Sequence, residues 1–220
     1  MLIKEKSYDG VFIALACVLG AILYIPLMQS YFLTDDFNNL RFLNICQSDF
    51  IYFLRNFGLN YFYRPVFAFV LWIEFHLFKH NASLYYLVNI IVHLINTTLV
   101  YFLVNTITQG RSKFIGFWAG LLFLIHPVHS NVVCWIASGP ILWSNLFLLA
   151  SFLTYLYSRK SGKWIYFILL FCFFGLALFS YESAVILPFL IIAYEWLLSP
   201  QGSDSTSALF KKYRKIVYLG

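Results

Sequence analysis

Four short stretches hold side chains whose types and spacing suit chemistry. The first, LTDDF at residues 33–37, places Asp35 and Asp36 side by side directly after a long apolar run. Adjacent carboxylates in a low-dielectric setting repel. One then holds its proton more tightly, which suits general-base work near neutral pH. The same pair also reads as a solvated helix start, with Thr34 or Asp35 capping the FNNLRFLN segment that follows. The second stretch, YFYRPVF at residues 61–67, sets Arg64 just before Pro65. Proline opens a helix without penalty, because the N–H it lacks would be unpaired there. The guanidinium beside it suits bidentate binding of a phosphate, either on a substrate or on a lipid headgroup.

The third stretch, HPVHSN at residues 126–131, carries His126, His129 and Asn131 at the end of another apolar run. Two histidines three residues apart share one face of a helix, but Pro127 breaks the helix between them and no third ligand accompanies them. No cofactor is expected, and a divalent metal is the lesser alternative. Two other roles stay open: hydrogen bonding to a phosphate, and satisfying backbone groups where the chain turns back at membrane depth. The fourth stretch, SYES at residues 180–183, puts Glu182 at the head of a helix, where a carboxylate meets the positive end of the dipole. Glu182 and Asn131 also count as supporting polar groups for the same site. The four cysteines, Cys17, Cys46, Cys134 and Cys172, show no metal spacing. A Cys46–Cys134 bridge is conceivable but not expected.

The elements that must position these residues are set by composition. Of 220 residues, 61% are hydrophobic and only 11% charged, and the mean hydropathy is +0.78. A soluble domain carries about 25% charged residues, so the chain is expected to be an all-α, polytopic transmembrane bundle. The net charge of +6 therefore points to membrane sidedness and not to nucleic acid. The uncharged run Val11 to Leu33 spans roughly 34 Å as a helix, enough to cross about 30 Å of hydrocarbon. It is expected to be a retained first span. Further runs lie at residues 84–107, 114–125, 141–157, 164–179 and 184–198. The run Pro65–Phe78 is too short to cross comfortably and carries Glu74 and His76, so it is expected to lie in the interface or to dip into the protein.

With that run not crossing, Lys4, Lys6, Arg111, Lys113, Arg159, Lys160, Lys163, Lys211, Lys212, Arg214 and Lys215 fall on one side. Only Arg41, Arg55, Arg64 and Lys79 fall on the other, all in one long loop. The positive-inside rule then predicts six spans with both termini cytoplasmic. In this layout residues 11–33 form the first span and residues 34–83 an extracytoplasmic loop with juxtamembrane helices. Residues 84–198 form five further spans, and residues 199–220 a basic cytoplasmic segment. The last residues, KIVYLG, read as the start of another hydrophobic run, so the sequence is expected to continue beyond them. All four chemistry-bearing stretches lie on the extracytoplasmic face.

Taken in order, LTDDF, YFYRPVF, YYLVNIIVHLIN, HPVHSNVVCWI and SYESAVILPFL resemble the first half of the GT-C membrane glycosyltransferases. The resemblance is nearest to bacterial relatives of the transmembrane and tetratricopeptide-repeat O-mannosyltransferases. It implies a polyprenyl-phosphate sugar donor, a protein or glycan hydroxyl as acceptor, and inverting transfer on the extracytoplasmic face. It also implies that Asp35 or Asp36 is the base and that Arg64, His126 and His129 hold the donor phosphate. Three positions depart from the family pattern: Asn131 replaces a glutamate, Gly139-Pro140 a Gly-Arg pair, and Tyr181-Glu182 a Lys-Glu pair. The expected location is a bacterial plasma membrane, or the endoplasmic reticulum membrane if the chain is eukaryotic. The competing reading is a non-catalytic subunit or transporter of a lipid-linked saccharide pathway. A transporter should carry polar or broken helices at mid-membrane, whereas the polar residues here gather at one face.

Overall fold

The computed structural model describes residues 2–46, 49–56, 63–110 and 113–197. Arg111, the first two residues of YFYRPVF and the basic 199–220 segment lie outside them. Among the described residues every regular element is helical. They are α1 (Leu2–Tyr24), α2 (Thr34–Cys46), α3 (Phe50–Asn56), α4 (Pro65–Phe78), α5 (Ala82–Ile107), α6 (Lys113–Ile125), α7 (Ser130–Val133), α8 (Gly139–Ser161), α9 (Trp164–Ser180) and α10 (Leu187–Leu197). Short 3-10 turns join several of them. The chain divides into one compact unit ending at Ala184 and a second beginning at Val185, which contains α10.

Among the described residues, three stretches are long and apolar enough to cross a membrane: Tyr8–Gln29, Ala82–Ile107 and Ile136–Ser161. A fourth candidate is the pair Lys113–Ile125 and Pro127–Val133, bent by 46° at the break between them. The chain is thus a membrane protein whose described residues are all-helical in their regular structure, with three candidate spans among them by length and composition, or four if the bent pair counts as one. The expected first span is shorter than its apolar run. α1 gives way at Pro26 to a 3-10 turn, Ile25–Gln29, and residues 30–33 are not helical. α4 has 14 residues, or about 21 Å, which is short for a crossing. α9 has 17, or about 26 Å. Cys46 and Cys134 are both unbonded.

Two clusters form the core of the first unit. One gathers Phe32 with Leu40, Leu43, Phe53, Phe67, Leu71, Phe75, Tyr85 and Tyr86, from the segment before α2 through to α5. The other gathers Phe12, Tyr24, Ile90, Tyr101, Leu124, Val133 and Leu142 around the middle of α5. α5 carries the construction because its buried face is polar as well as apolar: Asn89, His93 and Asn96 are all buried on it. Their i, i+4, i+7 spacing puts them on one stripe. α8 and α9 run back to back through a tight turn in which Gly162 adopts φ +63° and closes the end of α8 by donating its N–H to the Ser158 carbonyl. That left-handed conformation favours glycine.

Candidate functional site

The site begins where α1 leaves its helical path. The Ser83 hydroxyl in the first turn of α5 donates to the Met28 carbonyl, and the Tyr86 hydroxyl donates to the Tyr31 carbonyl at 2.8 Å. Phe32 is buried against the edge of Tyr85. These contacts fix the segment that carries the aspartates. The cap of α2 is made by neither of the residues expected to make it. Asp36, at the third helical position, reaches back so that its Oδ2 accepts the Leu33 N–H at 2.9 Å, the reciprocal half of a capping box. Its Oδ1 accepts the Ala137 N–H at 2.7 Å from the distant turn Ile136–Ser138. Asp36 is 1% exposed. Burial pushes its carboxyl above the ordinary value, the two N–H donors pull it back, and the charge of Asp35 adds to the rise. Asp35 is exposed in the same first turn. The two carboxylates therefore differ in kind: one ties two segments together, while the other faces outward.

The turn that receives Asp36 is built by a broken helix. Pro127 has no N–H and drives His126 to an extended conformation, φ −67° and ψ 125°, so α6 stops at Ile125. In an unbroken helix the Leu124 carbonyl would accept from the Val128 N–H. That N–H instead meets His126 Nδ1 at 3.2 Å. The freed Leu124 carbonyl is taken by the Tyr24 hydroxyl and by His93 Nε2, each at 3.3 Å. A carbonyl only accepts, so His93 carries its proton on Nε2. Asn89 donates to the Val133 carbonyl at 3.3 Å and Asn96 to the Leu142 carbonyl at 3.1 Å. The α5 stripe thus supplies donors to the backbone of the bent segment and of α8, and buried backbone carbonyls need such partners.

His126 and His129 do come together, with ring centroids 6.0 Å apart. His129 lies 4.2 Å from the Phe123 ring and 5.3 Å from His93. His126 is exposed, and because Nδ1 accepts a backbone N–H, its neutral ring presents Nε2–H as a donor. It lines a pocket of about 380 Å³ together with Tyr24, Ser30, Ser130 and Cys134. Asn131 is exposed on the four-residue helix α7. Among the described residues, no group of three or more His, Cys, Asp or Glu side chains is disposed to hold a metal.

Arg64 precedes Pro65 at the start of α4, and its side chain pairs with Glu182 rather than standing alone. Nη2 donates to Oε1 at 2.8 Å and Nε to Oε2 at 3.2 Å, a fork-to-fork pairing. The Tyr181 ring lies beneath the guanidinium, 4.3 Å from its carbon. The bond to Arg64 holds the Glu182 carboxyl below its ordinary value. The Ser144 hydroxyl of α8 donates to the Ala177 carbonyl at 3.1 Å and reaches the Tyr181 carbonyl at 3.4 Å, which fixes the end of α9 that presents this pair.

Gly139 joins the two halves. A Cβ at that position would sit 2.5 Å from Cε2 of Phe67, so the start of α8 approaches α4 only because the residue is glycine. Asp36 binds the Ile136–Ser138 turn, that turn leads into Gly139, Gly139 packs on Phe67, and Phe67 lies one helical turn from Arg64. Neither Ala137 nor Tyr181 is marked as a partner by the sequence. Ala137 contributes only a backbone N–H, which no residue type advertises. Tyr181 stands out in the sequence only as part of the Tyr181-Glu182 departure from the family pattern.

The family model described as dolichyl-phosphate-mannose-protein mannosyltransferase matches residues 64–219, so it begins at Arg64, after the aspartate pair. Among similar proteins, the protein O-mannosyl-transferase F38B6.6 of Caenorhabditis elegans is 33% identical over 99 residues, covering 44% of this chain and 14% of its own length. Human protein O-mannosyl-transferase TMTC3 is 29% identical over 97 residues, 44% of this chain and 10% of its own length. Drosophila melanogaster protein O-mannosyl-transferase Tmtc1 is 29% identical over 125 residues, 56% and 14%. The matched stretches thus span a small part of each relative. No solved structure matches the chain. The match from residue 64 to 219 takes in well over half of the sequence, including the broken helix, the histidine turn and the Arg64–Glu182 pair, and on it the chain belongs to the dolichyl-phosphate-mannose-protein mannosyltransferase family.

Proposed function

We propose that the chain forms the membrane-embedded donor side of a glycosyltransferase. The enzyme moves a sugar, mannose on the analogy of its relatives' names, from a polyprenyl-phosphate to a hydroxyl of a protein or glycan acceptor on the extracytoplasmic face. Asp35 accepts the hydroxyl proton as the oxygen attacks the anomeric carbon. The bond from that carbon to the phosphate oxygen breaks, its electron pair leaves with the lipid phosphate, and attack from the opposite face inverts the configuration. Arg64 and the Nε2–H of His126 stabilise the phosphate as charge develops on it, and His129 supports the His126 turn. The observation that carries the reading is the division of labour in LTDDF. Asp36 is consumed in joining α2 to the Ile136–Ser138 turn, which leaves Asp35 exposed beside it.

The topology that goes with this chemistry has six spans and cytoplasmic termini, with residues 34–83 outside and residues 199–220 inside. It rests on the one-sided distribution of lysine and arginine. The test of the function is reconstitution of the full-length protein with a polyprenyl-phosphate mannose and a hydroxyl acceptor, reading the anomeric configuration of the product. Transfer with inversion is expected. Retention of configuration, or transfer that needs a nucleotide sugar, would overturn the mechanism.

A further inference from the structure

Resting on the assignment of Arg64 to the lipid phosphate, we infer that Glu182 is an internal competitor for that seat, which loosens the enzyme's hold on the polyprenyl-phosphate product. The carboxylate occupies the Nε–Nη2 edge of the guanidinium with two bonds. That edge is the fork a phosphate takes with two of its oxygens. Tyr181 covers the guanidinium face at 4.3 Å. Face and edge are separate, so Tyr181 can keep Arg64 in place while the partner at its edge changes. The two sides of the pair are unequal: the Arg64 side chain is 17% exposed and that of Glu182 58%. The cation is held within the fold and the carboxylate sits at its surface, so the carboxylate is the partner that leaves.

Competition of this kind acts unevenly along the reaction. The donor is a phosphate diester with a single negative charge. The product is a monoester that approaches two charges near neutral pH, and it engages Arg64 more strongly. A competitor lowers the affinity of a ligand by the full weight of the competing pair only when the ligand must displace it. The product must do so. The donor, engaging Arg64 weakly, loses less. Glu182 therefore penalises product binding more than donor binding and speeds release of the spent lipid.

The experiment uses full-length protein in nanodiscs and two soluble-chain probes, farnesyl phosphate as the monoester and farnesyl phosphoryl mannose as the diester. Glu182→Gln should tighten farnesyl phosphate about two- to fivefold, the worth of an exposed ion pair, and tighten the diester by less. Glu182→Asp, which keeps the charge but is too short for both bonds, should fall between. Product inhibition should strengthen in the same order. Arg64→Ala should weaken farnesyl phosphate and remove the effect of Glu182→Gln in the double variant. If Arg64→Ala weakens the monoester but both Glu182 variants leave it unchanged or weaken it too, Glu182 merely positions Arg64 and the inference is wrong. If Arg64→Ala changes nothing, the phosphate assignment itself fails, and the inference with it.

Discussion

Replacing the two aspartates one at a time tests the proposed division between Asp35 as the base and Asp36 as the tie between segments. Asn has nearly the size of Asp but offers one acceptor oxygen and one N–H₂ group. At position 36 both oxygens accept backbone N–H groups, from Leu33 at 2.9 Å and from Ala137 at 2.7 Å. Asp36→Asn must therefore turn its amide nitrogen toward one of those N–H groups. One bond to a charged acceptor is lost, about 1.5–3 kcal/mol. Asp36 is 1% exposed, so solvent screening gives little relief. The loss corresponds to a shift of roughly ten- to a hundredfold in the docking of α2 against the Ile136–Ser138 turn. Asp35 is exposed and has no such ties, so Asp35→Asn should leave the fold intact. It should cut turnover by about 10²–10⁴, the worth of a positioned base. The assay is thermal unfolding and donor turnover of the full-length protein, each variant measured alone. Full turnover in Asp35→Asn would refute the base assignment. Unchanged stability in Asp36→Asn would refute the bridging role, and loss of turnover in Asp36→Asn alone, with stability intact, would reverse the two roles.

Four further outcomes are expected. In a background without native cysteines, single cysteines near Asn56 and Asn131 should react with an impermeant thiol reagent added outside, and one near Ser161 should not. Labelling at Ser161 in intact cells would overturn the six-span topology. Gly139→Ala brings a methyl to 2.5 Å from Phe67 and should destabilise by about 1–3 kcal/mol; a smaller companion at position 67, Phe67→Leu, should recover part of the loss. Asn89→Leu removes the donor to the Val133 carbonyl and should cost about 0.6–2 kcal/mol, read as a lower unfolding temperature with the α6 break loosened in hydrogen exchange. The Glu182 carboxyl is depressed below 4.5 by Arg64, so its pair contributes in full above that value and is lost as pH falls through the lowered one. The difference in thermal midpoint between wild type and Glu182→Gln should accordingly hold steady above pH 4.5 and shrink in stronger acid.

Much of this was legible in the sequence because membrane helices obey few rules. The apolar runs at residues 84–107 and 141–157 announced α5 and α8 by length alone, and Pro127 announced the break in α6. The Asn89, His93 and Asn96 stripe on α5 was not singled out from the sequence, because its role depends on partners that a sequence does not show. Those partners are the carbonyls of Val133, Leu124 and Leu142, and a backbone carbonyl carries no mark in a sequence. The cap of α2 was assigned to Thr34 or Asp35 because a capping residue ordinarily precedes the helix. Asp36 accepts the bond instead because the helix starts at Thr34, one or two residues earlier than that rule supposed. The Arg64–Glu182 pair joins residues 118 positions apart, and only the packing of α4 against α9 brings them together.

The broken helix explains why the polar residues of this chain are arranged as they are. A continuous α6 would run straight on past Pro127 and present no turn to Asp36. Breaking it at Pro127 frees backbone groups at Leu124 and Val133, both buried, and each would cost about 1–3 kcal/mol if left unpaired. The buried stripe on α5 removes that penalty, with His93 and Tyr24 converging on Leu124 and Asn89 on Val133. Once the turn is stable, Ala137 can meet Asp36, and Gly139 can bring α8 onto Phe67 and so onto the helix that presents Arg64. The stripe is therefore a condition for the site and need not touch a substrate. Conservative changes that keep a donor, such as Asn89→Gln, should spare activity, whereas apolar replacements should impair it through the fold.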